Sequence, residues 1–235
     1  MRNLTATICL AVALLLGSAG VSWSQDFQKG LAAAHSGDFA TALREWTPLA
    51  KQGNADAQYN LGVMYNEGKG VPQDDKTAVM WHRLAAEQGY ADAQYNLGYM
   101  YDIGRGVPQN YKTAVKWYKL AAKQGYARAQ YNLGVMHQIG EGVPQDYKTA
   151  VKWYKLAAEQ GYADAQGNLG AMYAMGQGVI QDDVYAHMWL SFAASSGKEN
   201  ASNNRDMVAK DMTPSQLETA QKLARECVRK NYKGC

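Results

Sequence analysis

Cysteine is scarce in this chain, and the few histidines follow no ligand pattern. A structural zinc site needs four Cys or His ligands at short, regular spacings. The two cysteines near the C-terminus cannot supply such a set, and the histidines are scattered, so the sequence predicts no metal site. The 235 residues contain three cysteines and four histidines: Cys9, Cys227, Cys235, His35, His82, His137 and His187.

The chain also lacks a strong charge of one sign and any complete catalytic motif. It has 24 basic and 21 acidic residues, a formal net charge of +3, which is too weak to indicate a nucleic-acid partner. No nucleophile has a matching base, and there is no glycine-rich phosphate loop. Ser195 and Lys198 match an S-x-x-K pattern, but the K-T-G and S-D-N motifs of penicillin-interacting enzymes do not accompany it. We therefore predict neither enzymatic activity nor a cofactor.

One long apolar run is present, from Leu4 to Leu16, and it follows the basic Arg2. Small residues come next, among them Ser22 and Ser24. This order is typical of a secretory signal peptide. The run is shorter than the roughly 20 residues that cross a bilayer. We expect cleavage after Ser24, with cleavage after Gly20 and a retained membrane anchor as the alternatives.

Export determines how the cysteines are interpreted. Removal of residues 1–24 takes Cys9 and Arg2 away, which leaves 23 basic against 21 acidic residues and a net charge of about +2. Cys227 and Cys235 remain, and an even number of cysteines in an oxidising compartment favours a disulfide. The sequence thus predicts a periplasmic or secreted protein with a Cys227–Cys235 bond. It predicts no nucleic-acid partner and no stable membrane insertion after signal removal.

Four consecutive 36-residue repeats, beginning at Ala55, Ala91, Ala127 and Ala163, occupy most of the remaining chain. The second and third repeats differ at only seven of their 36 positions. A period of this length indicates a solenoid of stacked supersecondary units. Such proteins work by presenting surface, which favours a binding function over an enzyme.

Each repeat is predicted to contain two helices. In the first repeat, apolar residues at helical spacing run from Ala55 to about Asn66, and a segment with glycine and proline follows at 68–72. A second helix starts after Asp74, its candidate N-cap, and ends before Gly89. Glycines inside the first helices indicate close helix contacts, and tryptophans on the second helices indicate core packing. These residues are Gly62, Gly98, Gly134, Gly170, Trp81, Trp117, Trp153 and Trp189.

The flanking segments are interpreted from weaker patterns. Residues 25–54 form a shortened repeat, and the polar stretch from Glu199 to Asp211 is predicted to be a loop. A capping box and a proline start a last helix at Thr213, which is expected to cover the apolar face of the fourth repeat. The predicted organisation is a signal peptide at 1–24, a tetratricopeptide-like half-matching repeat at 25–54, four repeats at 55–198, and a loop with a capping helix at 199–235.

The recurring residues resemble the SEL-one-like repeat (SLR) family, a relative of the tetratricopeptide repeats. The fourth repeat departs from the pattern, with Gly167 for a tyrosine and Ile180 for a proline. The resemblance implies an all-α, right-handed α-solenoid of stacked helix-turn-helix repeats with a C-terminal capping helix. In the first repeat its carriers are Ala57-Gln58-Tyr59-Asn60-Leu61-Gly62, Met64-Tyr65, Gly68-x-Gly70-Val71-Pro72, Asp74, Ala78, Trp81 and Ala85-Ala86-x-Gln88-Gly89.

The family also implies a function. Its members resemble one another as non-catalytic scaffolds that bring proteins together, and exported bacterial members often act at the envelope. We therefore expect an exported monomeric adaptor that binds one or more proteins. Cysteine-rich members linked to β-lactam binding carry a cysteine pair in every repeat. No repeat here contains a cysteine, so that property does not transfer.

If the repeats stack as in tetratricopeptide proteins, the first helices line a concave face. Tyrosine combines a large apolar ring with a polar hydroxyl, which suits peptide recognition. The alternative is that these tyrosines only pack between repeats. Asparagines of the same helices, Asn60, Asn96, Asn132 and Asn168, are expected to tie helices together. The implied partner-binding residues are Tyr59, Tyr95, Tyr99, Arg128 and Tyr131.

Two further alternatives stay open. Lysines of the second helices share one face, which is usually a solvated surface. The alternative is that this face docks to an anionic envelope surface or an acidic partner, and such docking should weaken with salt. The other function classes are a small-ligand or glycan binder that uses the tyrosine groove, and a β-lactam- or peptidoglycan-active enzyme. The lysines are Lys112, Lys116, Lys119, Lys123, Lys148, Lys152 and Lys155.

Overall fold

The computed structural model describes residues 24–235, which form twelve α-helices and no strand. Of the predicted signal peptide, all residues except Ser24 lie outside this range. The helices are α1 (24–35), α2 (Phe39–Lys51), α3 (Ala55–Glu67), α4 (Asp75–Glu87), α5 (Ala91–Ile103), α6 (Tyr111–Lys123), α7 (Ala127–Ile139), α8 (Tyr147–Ala158), α9 (Ala163–Met175), α10 (Asp183–Ser195), α11 (Glu199–Asp211) and α12 (Pro214–Arg229).

The chain divides into two compact units. The first comprises the described chain up to Ala93 together with Arg105–Val107, and the second comprises Gln94–Gly104 together with Pro108–Cys235. In the first, α2 and α3 bury Trp46 and Leu61 in one apolar cluster. In the second, successive helix pairs each enclose an apolar cluster. Every repeat thus consists of two helices, as the sequence predicts.

The helix ends follow the predicted capping residues. The Asp74 carboxylate accepts hydrogen bonds from the backbone N–H groups of Lys76 at 3.0 Å and Thr77 at 3.2 Å, and so caps α4. Gly89 follows the end of α4 with φ +93°, a backbone conformation that glycine adopts without strain. The other second helices begin at equivalent side-chain caps, which are Asn110, Asp146 and Asp182.

The glycines inside the first helices lie where a neighbouring ring approaches the backbone. A Cβ atom added to Gly134 would stand 2.5 Å from the ring of Tyr154, and one added to Gly98 would stand 2.8 Å from the ring of Tyr118. Carbon atoms in contact prefer about 3.5–4.0 Å. The predicted reason for these glycines, close contact with the adjacent helix, is therefore confirmed.

The predicted tryptophan ladder is only partly right. Trp189 is 1% exposed, but Trp81, Trp117 and Trp153 are half-buried. The wholly buried ring of those helices belongs to the next residue, and the apolar Leu84 of α4 is 39% exposed. Neighbouring residues on a helix point about 100° apart. The buried face of α4, α6 and α8 is therefore centred one residue later in the sequence than predicted. The buried rings are His82, Tyr118 and Tyr154.

The prediction of a loop from Glu199 to Asp211 is wrong, because this segment is α11. Ala201 is 5% exposed and packs with Leu190 and Ala193 of α10, while Val208 packs against the same cluster. Ala201 also lies 36 residues after Ala165, so α11 takes the register of a first helix. Although α11 is mostly polar, Ala201 and Val208 lie at helical spacing and pack this helix against α10.

Helix α12 packs against α10, as predicted for a capping helix. It starts with the predicted capping box, in which Thr213 and Gln216 bond each other's backbone N–H groups. Cys227 is buried in the cluster that contains Trp189, and the ring of Tyr232 lies 5.1 Å from that of Phe192. The apolar face of α10 is thereby covered.

Candidate functional site

Three repeats share one aromatic arrangement, which we call the aromatic triad. The tyrosine of each first helix lies between a ring on the second helix of its repeat and the tyrosine that ends the repeat. The ring centroids are 5.1–5.8 Å from that of the first-helix tyrosine, a distance typical of packed aromatic pairs. The triads are Tyr59–His82–Tyr90, Tyr95–Tyr118–Tyr126 and Tyr131–Tyr154–Tyr162.

The second-helix rings of the second and third triads are anchored by hydrogen bonds. The hydroxyl of Tyr118 donates to Asp102 at 3.1 Å, and that of Tyr154 donates to Gln138 at 2.6 Å. Burial raises the pKa of both phenols, so both remain protonated donors at neutral pH. These two rings are fixed parts of the core, against which the first-helix tyrosines rest.

Asparagines connect successive repeats through the same tyrosines. Burial raises the pKa of Tyr95 and of Tyr118, and the side chain of Asn132 lies close enough to both phenols to oppose that rise. One asparagine thus lies beside phenols from both helices of the preceding repeat, the place that the predicted role of tying helices together requires. The link recurs 36 residues later between Asn168 and the phenols of Tyr131 and Tyr154.

The second compact unit brings four of the predicted partner-binding residues to the first helices α5 and α7. Tyr99 is 42% exposed and Arg128 is exposed, whereas Tyr95 and Tyr131 are half-buried. The Tyr95 and Tyr99 rings stack with centroids 6.5 Å apart. Burial raises the pKa of Tyr95 and of Tyr162, and the charge of Arg128 opposes that rise at both, so its guanidinium lies near both phenols. We call Tyr95, Tyr99, Arg128 and Tyr131 the tyrosine surface.

Tyr95 and Tyr131 pack on neighbouring rings and remain partly exposed. Burial is the main reason that the pKa of Tyr95 and of Tyr131 is raised, and the carboxylate of Asp164 raises that of Tyr131 further. Both phenols are therefore neutral at physiological pH and can donate and accept hydrogen bonds. Packing on the triad therefore does not remove these rings from the surface.

Tyr59, the fifth predicted partner-binding residue, lies in the first compact unit. Its ring centroid is 5.7 Å from that of His82 and 5.2 Å from that of Tyr90. Burial raises the pKa of Tyr90 to about 12, and the nearby carboxylate of Asp56 contributes. Tyr59 thus occupies in this unit the place that Tyr95 and Tyr131 occupy in the other.

Glutamines also join the helices, and the sequence analysis did not single them out for this role. Gln130 is 4% exposed, donates to the carbonyl of Ala122 at 3.1 Å and accepts from Gln160 at 2.8 Å. Its amide therefore connects the end of one second helix to the end of the next. A buried polar side chain requires such partners, and recurrence at every 36th residue was the available signal. Gln58, Gln94 and Gln166 share its position and are buried.

The S-x-x-K match does not form a serine–lysine pair. The hydroxyl of Ser195 donates to the carbonyl of Phe192 at 2.7 Å, and the amine of Lys198 pairs with the carboxylate of Asp164. The hydrogen bond and charge of Asp164 raise the pKa of Lys198, while a lysine that acts as a base needs a lowered one. The two side chains thus have other partners.

The lysines of the second helices face solvent. Six of the seven are exposed, and Lys155, which is partly buried, lies 3.7 Å from Glu159. Solvated lysines at this spacing form an ordinary helix surface, and pairs of this kind contribute little to stability. This surface remains the alternative docking face. The exposed six are Lys112, Lys116, Lys119, Lys123, Lys148 and Lys152.

Residues 24–235 contain neither a metal-ligand cluster nor a membrane-spanning helix. No group of three His, Cys, Asp or Glu side chains is arranged to hold a metal ion within that range. None of its helices combines the length and apolar composition needed to cross a bilayer. At its C-terminal end Cys227 and Cys235 form a close pair with their Cα atoms 5.7 Å apart, a separation that a disulfide accommodates.

His82 carries a testable pH effect. It is 1% exposed, and burial lowers its pKa to about 4. The unfolded chain, with a histidine pKa of about 6.5, therefore binds a proton first as the pH falls, so stability is lost below about pH 6.5. Between pH 7 and 5 this loss should be about 2 kcal/mol. The substitution His82→Tyr, which supplies the residue found at Tyr118 and Tyr154, should remove it.

Urea unfolding of wild type and H82Y at both pH values measures the effect. Other groups titrate in the same range, so the informative quantity is the difference between the two proteins. Identical losses of stability on acidification would show that His82 does not carry the effect.

The four repeats also match a known protein family. A family model described as Sel1 repeat matches residues 55–90, 91–126, 127–162 and 163–198. The chain belongs to the Sel1 repeat family. The matched segments coincide with the four 36-residue repeats, and the resemblance inferred from their residues is confirmed.

Solved structures agree with this assignment. The crystal structure of a Sel1 repeat protein from Oxalobacter formigenes is similar at 32% identity, with a TM-score of 0.75 over 88% of this chain and 83% of that one. The crystal structure of c5321, a protective antigen present in uropathogenic Escherichia coli strains and displaying an SLR fold, is 29% identical, with a TM-score of 0.60 over 92% of this chain and 55% of that one. No curated protein gives a significant match. The all-α repeat solenoid predicted from the sequence is confirmed.

Proposed function

We propose that this Sel1 repeat protein is an exported, non-catalytic and monomeric scaffold that binds a protein partner through the tyrosine surface. The Sel1 repeat fold typically mediates protein–protein interaction. One observation supports this surface in particular. Exposed Tyr99 and Arg128 lie beside half-buried Tyr95 and Tyr131 on two successive first helices.

The chemistry of the surface suits a polypeptide. Tyrosine and arginine are enriched among the residues that dominate binding energy at protein interfaces. Tyr95 and Tyr131 are held by their triads before binding. Contact with a partner therefore costs these two side chains little further conformational entropy. Tyr99 and Arg128 retain freedom to adapt and to donate hydrogen bonds.

Capture of the partner tests the proposal. The wild-type chain is cross-linked in cells, and the captured protein is identified and used in direct binding assays. The double substitution Tyr99→Ala and Arg128→Ala should weaken binding by more than about tenfold, since residues of this kind each contribute roughly 2 kcal/mol at an interface centre. Both residues are exposed, so circular dichroism and the melting temperature should stay near wild type.

The matched control is Lys116→Ala with Lys152→Ala, which removes two exposed lysines from the second helices. This variant should bind as wild type does. Loss of binding in the lysine variant alone, together with strong weakening by salt, would contradict the tyrosine surface and place the interaction on the second helices.

Export and the disulfide form one prediction. Protein recovered from the periplasmic or secreted fraction should begin at Gln25, and it should contain no free thiol, because Cys227 and Cys235 are joined. N-terminal sequencing and thiol alkylation followed by mass spectrometry measure both. Closing this short loop should stabilise the fold by roughly 2–3 kcal/mol. Two alkylated cysteines in exported protein would contradict the bond.

A further inference from the structure

The fourth repeat has lost its aromatic triad. At 36 residues from Tyr131, Tyr154 and Tyr162 it carries Gly167, Leu190 and Lys198. A cavity of about 390 Å³ lies at this place, lined by these three residues and by parts of α9 and α11. It reaches the surface beside Lys198 and Asn200, which are exposed. The missing rings account for the space.

The polar groups that meet a phenol have counterparts here, although the phenol is absent. In the third repeat, burial raises the pKa of Tyr131, and Asp164 and Asn168 both lie close enough to its hydroxyl to affect that pKa. The residues 36 positions later are Asn204 and Asn200, and both line the cavity. A hydrogen-bonding site for a ring hydroxyl thus remains where the chain supplies no ring.

The base of the cavity is apolar and well ordered by packing. Leu190 and Ala193 are 1% and 0% exposed. A Cβ added to Gly167 would meet only the Cβ of Ala193, at 3.6 Å, so nothing in the structure fills the position of the first-helix tyrosine. An apolar wall with a polar rim is the usual composition of a site for an aromatic group.

A second hollow adjoins the first. It measures about 220 Å³, shares Leu190 and Asn204 with the cavity, and extends between Met175 and Met207. These two methionines are 55% and 56% exposed. Flexible methionines suit apolar side chains of varied shape. The adjoining hollow offers a place for a residue next to the aromatic one, which favours a polypeptide over an isolated small molecule.

We propose that the cavity at Gly167 binds an aromatic side chain of a protein partner, and tyrosine in preference to phenylalanine. The inserted ring takes the position of Tyr131 one repeat later, with its face on Leu190 and its hydroxyl toward Asn204. The proposal rests on the scaffold function, because the protein partner supplies the ring. It extends the tyrosine surface along α9, because Gly167 holds the same register as Tyr95 and Tyr131.

Titration of the full chain with blocked amino acids tests this, followed by NMR of the backbone amides around Gly167. N-acetyltyrosinamide should bind with a dissociation constant in the millimolar range, roughly as expected for so small a ligand. N-acetylphenylalaninamide should bind several-fold more weakly. The substitution Asn204→Ala should abolish this preference without abolishing binding.

The decisive variant is Gly167→Tyr, which restores the residue of the other repeats. It should weaken the binding of N-acetyltyrosinamide by at least about tenfold, because its own ring occupies the site. Gly167→Leu is the second variant, should the tyrosine disturb folding. Gly167→Ala is the matched control, since one methyl group removes little volume, and it should bind within about threefold of wild type.

Three outcomes would overturn the proposal. One is equal binding by wild type and G167Y. Another is binding of free p-cresol without binding of N-acetyltyrosinamide, which would mean that the cavity does not admit a ring attached to a backbone. The third is self-association of wild type that G167Y abolishes, which would make a second copy the occupant. The scaffold function is judged separately, by partner capture in the Tyr99 and Arg128 variant, so either idea can fail while the other stands.

Discussion

Replacing Trp189 by alanine should lower the free energy of unfolding by about 3–5 kcal/mol. The side chain is 1% exposed and packs in the cluster that α12 covers, with its ring 5.7 Å from that of Phe192. Helices on both sides cannot collapse into the space of an indole, so a cavity remains. Urea unfolding followed by circular dichroism measures the loss.

The control for this change is Trp117→Ala, at the same register two repeats earlier. Trp117 is half-buried, so its truncation should cost only about 1–2 kcal/mol, roughly half the transfer free energy of a buried aromatic side chain. Equal losses from the two substitutions would show that the buried faces of α6 and α10 have been assigned wrongly.

A single methyl group should destabilise the third repeat. Gly134→Ala would place a Cβ 2.5 Å from two ring carbons of Tyr154, and this ring cannot turn away because it is wholly buried and hydrogen-bonded to Gln138. Overpacking of this kind costs about 1–3 kcal/mol, and here it outweighs the gain of about 1 kcal/mol in helix propensity. We expect a net loss of about 1 kcal/mol, measured by chemical unfolding.

Gly167→Ala in the fourth repeat should have the opposite sign. Its new Cβ would meet Ala193 at an ordinary contact distance of 3.6 Å, so the helix propensity gain of about 0.5–1 kcal/mol is retained. Both substitutions exchange the same residues inside a first helix. Stabilisation by both would mean that the ring of Tyr154 can move, and loss from both would mean that the fourth repeat has no cavity.

The site was only partly accessible from the sequence. The resemblance placed Tyr95, Tyr99, Arg128 and Tyr131 on first helices, where the structure has them. Their exposure could not be predicted, because it depends on the rings that pack beside them. Tyr95 and Tyr131 rest against buried second-helix rings and are half-covered, whereas Tyr99 lies one turn further along α5 and remains 42% exposed.

The cavity of the fourth repeat could likewise not be predicted from the sequence. The replacement of tyrosine by Gly167 is visible in the sequence as a departure from the repeat. That the departure leaves a space follows only from the packing of α11, which the sequence analysis took for a loop. A polar segment with Ala201 and Val208 as its apolar contacts carries too weak a periodicity to be recognised without its neighbour α10.

The sequence was enough to predict the repeat length, the two helices of each repeat, their caps at residues such as Asp74, and the close contacts at glycines such as Gly134. These depend on local chemistry that a 36-residue period displays four times. Only the tertiary structure decided that Tyr118 rather than Trp117 enters the core. Adjacent helix residues point about 100° apart, and tryptophan and tyrosine are both large aromatic residues. Packing against the neighbouring helices therefore decides which of the two is buried.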